Sequence, residues 1–206
     1  MPPKQPAPKA WPSSILYLTA PIYSPTITKD HLTALRTQDP TLPSINTTKG
    51  PSNLVKITPI SSPTHPANGQ SGLFASMDLK PGTFILQYLG EIHCSPDPRH
   101  SNPEDNIADT HSTSNYDLSL DRELGIGVDA DKAGTEARFI NDYRGVAERP
   151  NAEFKEIWDE RRGERGMGVF VLPEGRKGKN KGIRKGEEIL VSYGRGFWGA
   201  RKDDGE

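Results

Sequence analysis

Cysteine is nearly absent from this chain: a single residue, Cys94, in 206. A lone thiol excludes an intramolecular disulfide and any zinc cluster built on thiolates, so an intracellular protein is expected, in the nucleus or the cytoplasm. Five histidines, at positions 31, 65, 93, 100 and 111, show no paired ligand spacing, and no metal site is expected. No apolar run approaches the roughly 20 residues that span a bilayer. The stretch from Lys4 to Ile22 also lacks the continuous apolar region of a signal peptide. Hydrophobic residues make up only 33% of the chain and aromatics 7%, so part of the sequence does not contribute to a core.

Proline shows which part that is, because 13 of the 19 prolines fall in residues 1–68. A segment so rich in Pro, Ser and Thr buries too little apolar surface to offset its ordering entropy unaided. Its Trp11, Leu16, Tyr17 and Ile22 are costly to leave in water, so the segment is expected to pack partly on the rest. The expected division is an extension over residues 1–53, one domain over 54–200 and a tail over 201–206, within the usual size of a single core. Charge follows the same division. Residues 1–68 carry six Lys or Arg against two Asp, and the remainder 20 against 25. An acidic larger part suits a basic peptide better than nucleic acid, though a solvated surface accounts for it as well.

Few segments carry helical periodicity, and the fold reads as mostly β. Thr28 is placed to cap a helix over Lys29 to Arg36, and Ile15 to Leu18 reads as a short strand. Leu54 to Ile60 alternates as a strand. Gly72 to Ser76 follows, then a turn at Lys80 to Thr83 and one buried strand from Phe84 to Ile92. Residues 94–114, with three prolines among Asp, Asn, His and Ser, read as a flexible insertion. Strands are expected at Tyr116 to Leu120, Ile126 to Ala130, Met167 to Leu172 and at the end of Ile183 to Tyr193, with a helical turn over Asp131 to Arg138.

Two stretches stand apart from this pattern. In Arg138-Phe-Ile-Asn141-Asp142-Tyr143 an apolar pair runs into two side chains that bond their own backbone, and Pro150-Asn151-Ala-Glu-Phe154 follows. Some thirty residues on comes Gly186-Glu-Glu-Ile-Leu-Val-Ser-Tyr193. Together with Gly72-Leu-Phe-Ala75, and in this order, they resemble the SET domain of protein lysine methyltransferases over roughly residues 54–200. The resemblance implies a fold of small twisted sheets with a C-terminal pseudoknot, in which the Asn segment threads beneath the Gly-Glu-Glu strand. It also implies S-adenosyl-L-methionine as cofactor and a lysine in a protein or peptide, histones among the candidates, as substrate. A monomer is expected. The cysteine-rich zinc modules that flank many chromatin-directed SET domains are excluded by composition.

Residue by residue, the resemblance makes Tyr193 the catalytic tyrosine, whose hydroxyl points at the transferring methyl. Asn141, with Asp142 beside it, matches the cofactor-contacting pair. Gln70, Ser71, Gly72 and Leu73 match the loop whose backbone meets the cofactor's amino-acid end, where Gly72 permits close approach. Tyr116 lies where the family often has a tyrosine near the cofactor and the lysine channel, and it also fits an ordinary strand tyrosine. Phe197 and Trp198 match the tail aromatics that cover the channel and the adenine, where a ring face suits a methylated ammonium; they also fit plain core packing. Val191 stands at the channel position often held by Phe or Tyr. Arg138 is expected to brace the knot, and Glu187 and Glu188 to be structural.

Three departures are visible. Asp142 replaces the family's usual His and, as a carboxylate, must find donors, with Arg144 and backbone amides nearest. Gln70 replaces the first Gly of Gly-x-Gly, and Val191 is smaller than the aromatic. Beside the enzyme reading stands a SET-like module that binds peptide or cofactor but catalyses weakly. A nucleic-acid binder using the basic 176–185 loop would bind DNA with steep salt dependence, and the acidic remainder argues against it.

Overall fold

The computed structural model describes residues 7–95, 111, 113–175 and 181–194. Phe197 and Trp198, nearly all of the insertion and half of the basic 176–185 loop lie outside the described residues. Described elements begin with β1 (Leu16–Tyr17), β2 (Ile22–Tyr23), helix α1 (Lys29–Leu35) and β3 (Ser44–Ile45). Next come β4 (Val55–Pro59), β5 (Ser71–Ala75), β6 (Phe84–Tyr88), β7 (Glu91–Cys94), β8 (Asp117–Asp121), β9 (Ile126–Asp129) and β10 (Ala133–Gly134). A 3-10 turn, Glu136–Phe139, precedes β11 (Asn141–Asp142), β12 (Ala152–Asp159), β13 (Glu164–Val171) and β14 (Leu190–Val191). The mostly β expectation holds.

Helix α1 starts at the cap the sequence signals. Thr28 is extended, its hydroxyl accepts the His31 amide, and the His31 ring accepts the Thr28 amide. A capping box of this kind satisfies two otherwise orphaned donors. Phe84 to Ile92 is not one strand but two, broken at Leu89-Gly90. A Cβ on Gly90 would lie 2.3 Å from the Asp129 carbonyl oxygen, so the backbone passes too close to its neighbour for any side chain. The helical turn expected over Asp131 to Arg138 is instead a two-residue strand followed by the 3-10 turn.

The chain forms two compact units, one of residues 1–52, 86–138 and 155–169, the other of 53–85, 139–154 and 170–206. In the first, β2, β7, β9 and β8 form a sheet, with β2 parallel to β7 and the other pairs antiparallel. β1 runs parallel to β10, and Ser44 of β3 pairs with Trp158 of β12. The N-terminal strands thus add to three sheets. They do so through backbone bonds, which is why Leu16 and Ile22, expected to be buried, stay 60% and 40% exposed. Leu18, Leu89 and Ala133 form a buried apolar cluster. Arg138 is buried, donates to the carbonyls of Ala130 and Asp131, and lies 4.2 Å from the centroid of the Tyr116 ring.

Glu136 ties this unit to its N-terminal residues, accepting from the Ser52 amide at 2.9 Å and the Tyr17 hydroxyl at 3.1 Å. Burial pushes the Glu136 carboxyl above its ordinary pKa, against the opposing pull of its backbone and Tyr17 donors, and burial also raises the Tyr17 hydroxyl. An acid whose folded pKa lies above its unfolded one contributes most below the unfolded value, and that contribution is lost as pH rises through the folded value. Glu136→Gln keeps an acceptor for Ser52 and removes the charge. It is expected to be at least as stable as wild type at pH 7, with the difference narrowing toward pH ~4. Denaturant midpoints across that range check it, and a less stable variant at pH 7 would contradict it.

In the second unit β4 and β5 pair antiparallel from Val55 opposite Ala75 to Pro59 opposite Ser71. Single bridges join Phe74 to Glu188 and Leu79 to Ile183. Leu73, Ala75, Val171, Ile183, Ile189 and Val191 are buried to 1% exposure or less and belong to the apolar interior of this unit.

Candidate active site

β11 is two residues long, too short to be specified by pattern, and its register is set by its partner. It runs parallel to β14, with Asn141 opposite Leu190 and Asp142 opposite Val191. The Tyr143 amide extends the pairing to the Val191 carbonyl, and the Asn151 amide bonds the Leu190 carbonyl. The Asn151 side chain closes the same strand from both sides: its Nδ2 donates to the Glu188 carbonyl at 2.7 Å and its Oδ1 accepts the Leu190 amide at 2.8 Å. Two sequence-distant loops are thereby locked into one register.

On this frame Tyr193 turns back toward the Asn loop. Its hydroxyl donates to the Ile140 carbonyl at 2.6 Å, and its amide donates to Asp142 Oδ2 at 2.8 Å. Asp142 finds the donors its charge requires. Its carboxylate, 5% exposed, accepts the Arg144 amide at 2.8 Å and the Arg144 Nη1 at 2.8 and 3.1 Å. A buried carboxylate held by a guanidinium and two amides is a satisfied charge.

Asn141 donates through Nδ2 to Glu188 Oε1 at 2.8 Å. The other carboxylate oxygen of Glu188 lies 3.0 Å from His65 Nε2. Gly72 faces the same group: a Cβ there would come within 2.6 Å of Glu188 Oε1, so only glycine fits without displacing the carboxylate. Gln70 is exposed and its carbonyl accepts the Ile60 amide, whereas Gly72 and Leu73 are buried. Ser71 opens β5, and Val191 is fully buried in β14. A cleft of about 870 Å³ is lined by Asn151, Leu172, Arg184, Glu187, Glu188 and Leu190, among others. Gln70 to Leu73, Asn141, Asp142, Val191 and Tyr193 therefore all belong to one unit. Tyr116 belongs to the other, where its carbonyl accepts the Tyr88 hydroxyl at 2.6 Å.

The sequence profile of the SET domain matches residues 70–194, a span that takes in Gln70 to Leu73, Tyr116, Asn141, Asp142, Val191 and Tyr193. The chain belongs to the SET domain family. Members of that family are protein lysine methyltransferases that use S-adenosylmethionine and act on lysine substrates such as histones. No curated protein sequence matches the chain. Similar solved structures include the Chaetomium thermophilum polycomb repressive complex 2, at 25% identity and TM-score 0.47, over 70% of this chain and 16% of that one. An active polycomb repressive complex 2 in the stimulated state gives 25% identity and TM-score 0.45, over 68% and 15%. The C. thermophilum complex in an autoinhibited conformation bound to S-adenosylmethionine gives 23% and 0.46, over 73% and 17%. This SET chain spans about a sixth of the length of those chains.

Sequence reasoning did not pick out His65 or the clamp by Asn151. His65 meets Glu188 across 123 positions, and nothing in its own Pro-rich loop signals the contact. Among the described residues no His, Cys, Asp and Glu group is placed to hold a metal ion, and no helix is long and apolar enough to cross a membrane.

Proposed function

We propose that this SET domain transfers a methyl group from S-adenosylmethionine to the side-chain amine of lysine in a protein substrate, with Tyr193 as the catalytic residue. The observation that carries this reading is the convergence of Asn141, Asp142 and Tyr193 through the β11–β14 pairing and the Tyr193 to Ile140 hydrogen bond. Displacement at a methyl sulfonium needs no covalent help from the protein. It needs alignment, a neutral amine and a dry passage.

The donor set fits the cofactor. With Asn141 Nδ2 committed to a carboxylate, its Oδ1 is the atom left to accept from an ammonium such as that of the cofactor's amino-acid end. Gln70, Ser71, Gly72 and Leu73 are assigned to the same end. When bound, S-adenosylmethionine supplies the electrophilic methyl. Tyr193, its hydroxyl donated to Ile140, is assigned to orient the incoming amine. Val191 and Phe197 are assigned to the lysine passage, and Trp198 to the adenine. The β11–β14 pairing is read as the family pseudoknot. The catalytic domain is placed at residues 54–200, with residues 1–53 as an extension that contributes β1 to β3.

Incubating the purified full chain with methyl-labelled S-adenosylmethionine and a mixture of basic proteins that includes histones is expected to label lysine. If the cofactor binds by calorimetry and no label appears on any protein, the chain is a binding module and this reading fails.

A further inference from the structure

We propose that His65 is a positioning residue: acting through Glu188, it fixes the orientation of the Asn141 side-chain amide toward the amino group of the bound cofactor. The proposal rests on the reading of Asn141 just given, and its core is a three-residue relay seen in one unit. The Ala67 amide donates to His65 Nδ1 at 3.0 Å. A ring nitrogen that accepts carries no proton, so the proton of the neutral ring sits on Nε2, and Nε2 donates to Glu188 Oε2 at 3.0 Å.

Glu188 is 9% exposed at its side chain and His65 10%. Each carboxylate oxygen receives one side-chain donor, His65 on Oε2 and Asn141 on Oε1. A carboxylate can only accept, so Asn141 must turn its NH2 toward it and its Oδ1 away. Gly72, lacking a side chain, lets the carboxylate lie against β5, and the Asn151 amide pins the Glu188 backbone carbonyl.

The His65 loop is built to hold this position. Ile60 and Gly69 close it by backbone bonds to Gln70 and Ile60, and the amides of His65, Asn68 and Gln70 bond Ser62, His65 and Ala67. Without the His65 donor, Glu188 Oε2 needs water or a new rotamer, and the Asn141 amide loses its fixed acceptor.

The test is calorimetric binding of two probes to the full chain, S-adenosylhomocysteine and 5′-methylthioadenosine, which lacks the amino-acid end. His65→Ala is expected to weaken homocysteine-probe binding about tenfold and leave methylthioadenosine binding within about twofold. His65→Gln, whose amide can donate to Glu188, should restore most of the loss. Equal weakening of both probes, or no rescue by Gln, would reduce His65 to a structural role and overturn the proposal. Unchanged binding in His65→Ala would do the same. Failure of wild type to bind either probe would overturn the functional reading itself, a separate result. Circular dichroism melting of both variants shows whether they fold, and the Gln variant carries the test if the Ala variant does not.

Discussion

Tyr193→Phe is expected to lower methyl transfer by at least about a hundredfold while the protein melts within a few degrees of wild type. The two effects separate because the side chain and the backbone of Tyr193 make different contacts. The Phe variant retains the amide bond to Asp142 Oδ2 and the pairing of β14 with β11, and loses the hydroxyl donated to Ile140. One neutral hydrogen bond is worth about 0.5–1.5 kcal/mol, or a few degrees for a chain of this size. The chemistry loses more. The hydroxyl oxygen, aimed by Ile140, is the group that orients the amine, and a hundredfold loss corresponds to about 2.7 kcal/mol of transition-state stabilisation. Initial rates of label transfer, with melting curves on the same samples, measure both. A Phe variant that keeps more than half its rate would mean that Tyr193 merely closes a strand.

What the sequence made legible was the part of the fold whose determinants are local. Thr28 and His31 lie three apart and form the cap that starts the one α-helix among the described residues. Asp142 and Arg144 lie two apart, so the replacement of a histidine by a carboxylate pointed to its partner directly. The four family motifs each sit on the elements around the β11–β14 pairing. What was hidden depends on distant residues. β12, eight residues long, and the first three residues of β13 were not expected as strand, because they carry charges that the fold neutralises at long range. Arg165 reaches Asp121 and Glu156, Glu164 takes the Tyr23 hydroxyl, and Asp159 takes the Thr47 hydroxyl. The break at Gly90 is invisible for the same reason, since the atom that forbids a side chain there belongs to Asp129. His65 is the extreme case: a histidine in a loop becomes part of the site only when β5 brings Gly72 against Glu188.

Asp142→Ala is expected to cost about 2–4 kcal/mol of stability and to abolish measurable methyl transfer. The Tyr193 amide and the Arg144 amide both lose their acceptor, and each buried donor left unsatisfied costs about 1–3 kcal/mol. The ion pair adds less than its 2.8 Å distance suggests, because the Arg144 side chain is 39% exposed and water screens it. A loss of this size corresponds to a fall on the order of 10 °C in melting temperature. Activity suffers further because Asp142 anchors the backbone of the residue that carries the hydroxyl, and a displacement of about 1 Å in a catalytic group can cost a hundredfold. Asp142→His, which installs the family's usual residue, should not rescue. An imidazole offers at most one acceptor, whereas this site presents the Tyr193 amide, the Arg144 amide and the Arg144 guanidinium. Only Asp142→Asn should be intermediate, because its one oxygen can keep the Tyr193 amide while its NH2 faces Arg144. Melting curves and label transfer on the three variants would rank them Asn above His and Ala. If the His variant instead matched wild type in both, the carboxylate would be dispensable, and the anchoring of Tyr193 would have to come from the β11–β14 pairing alone.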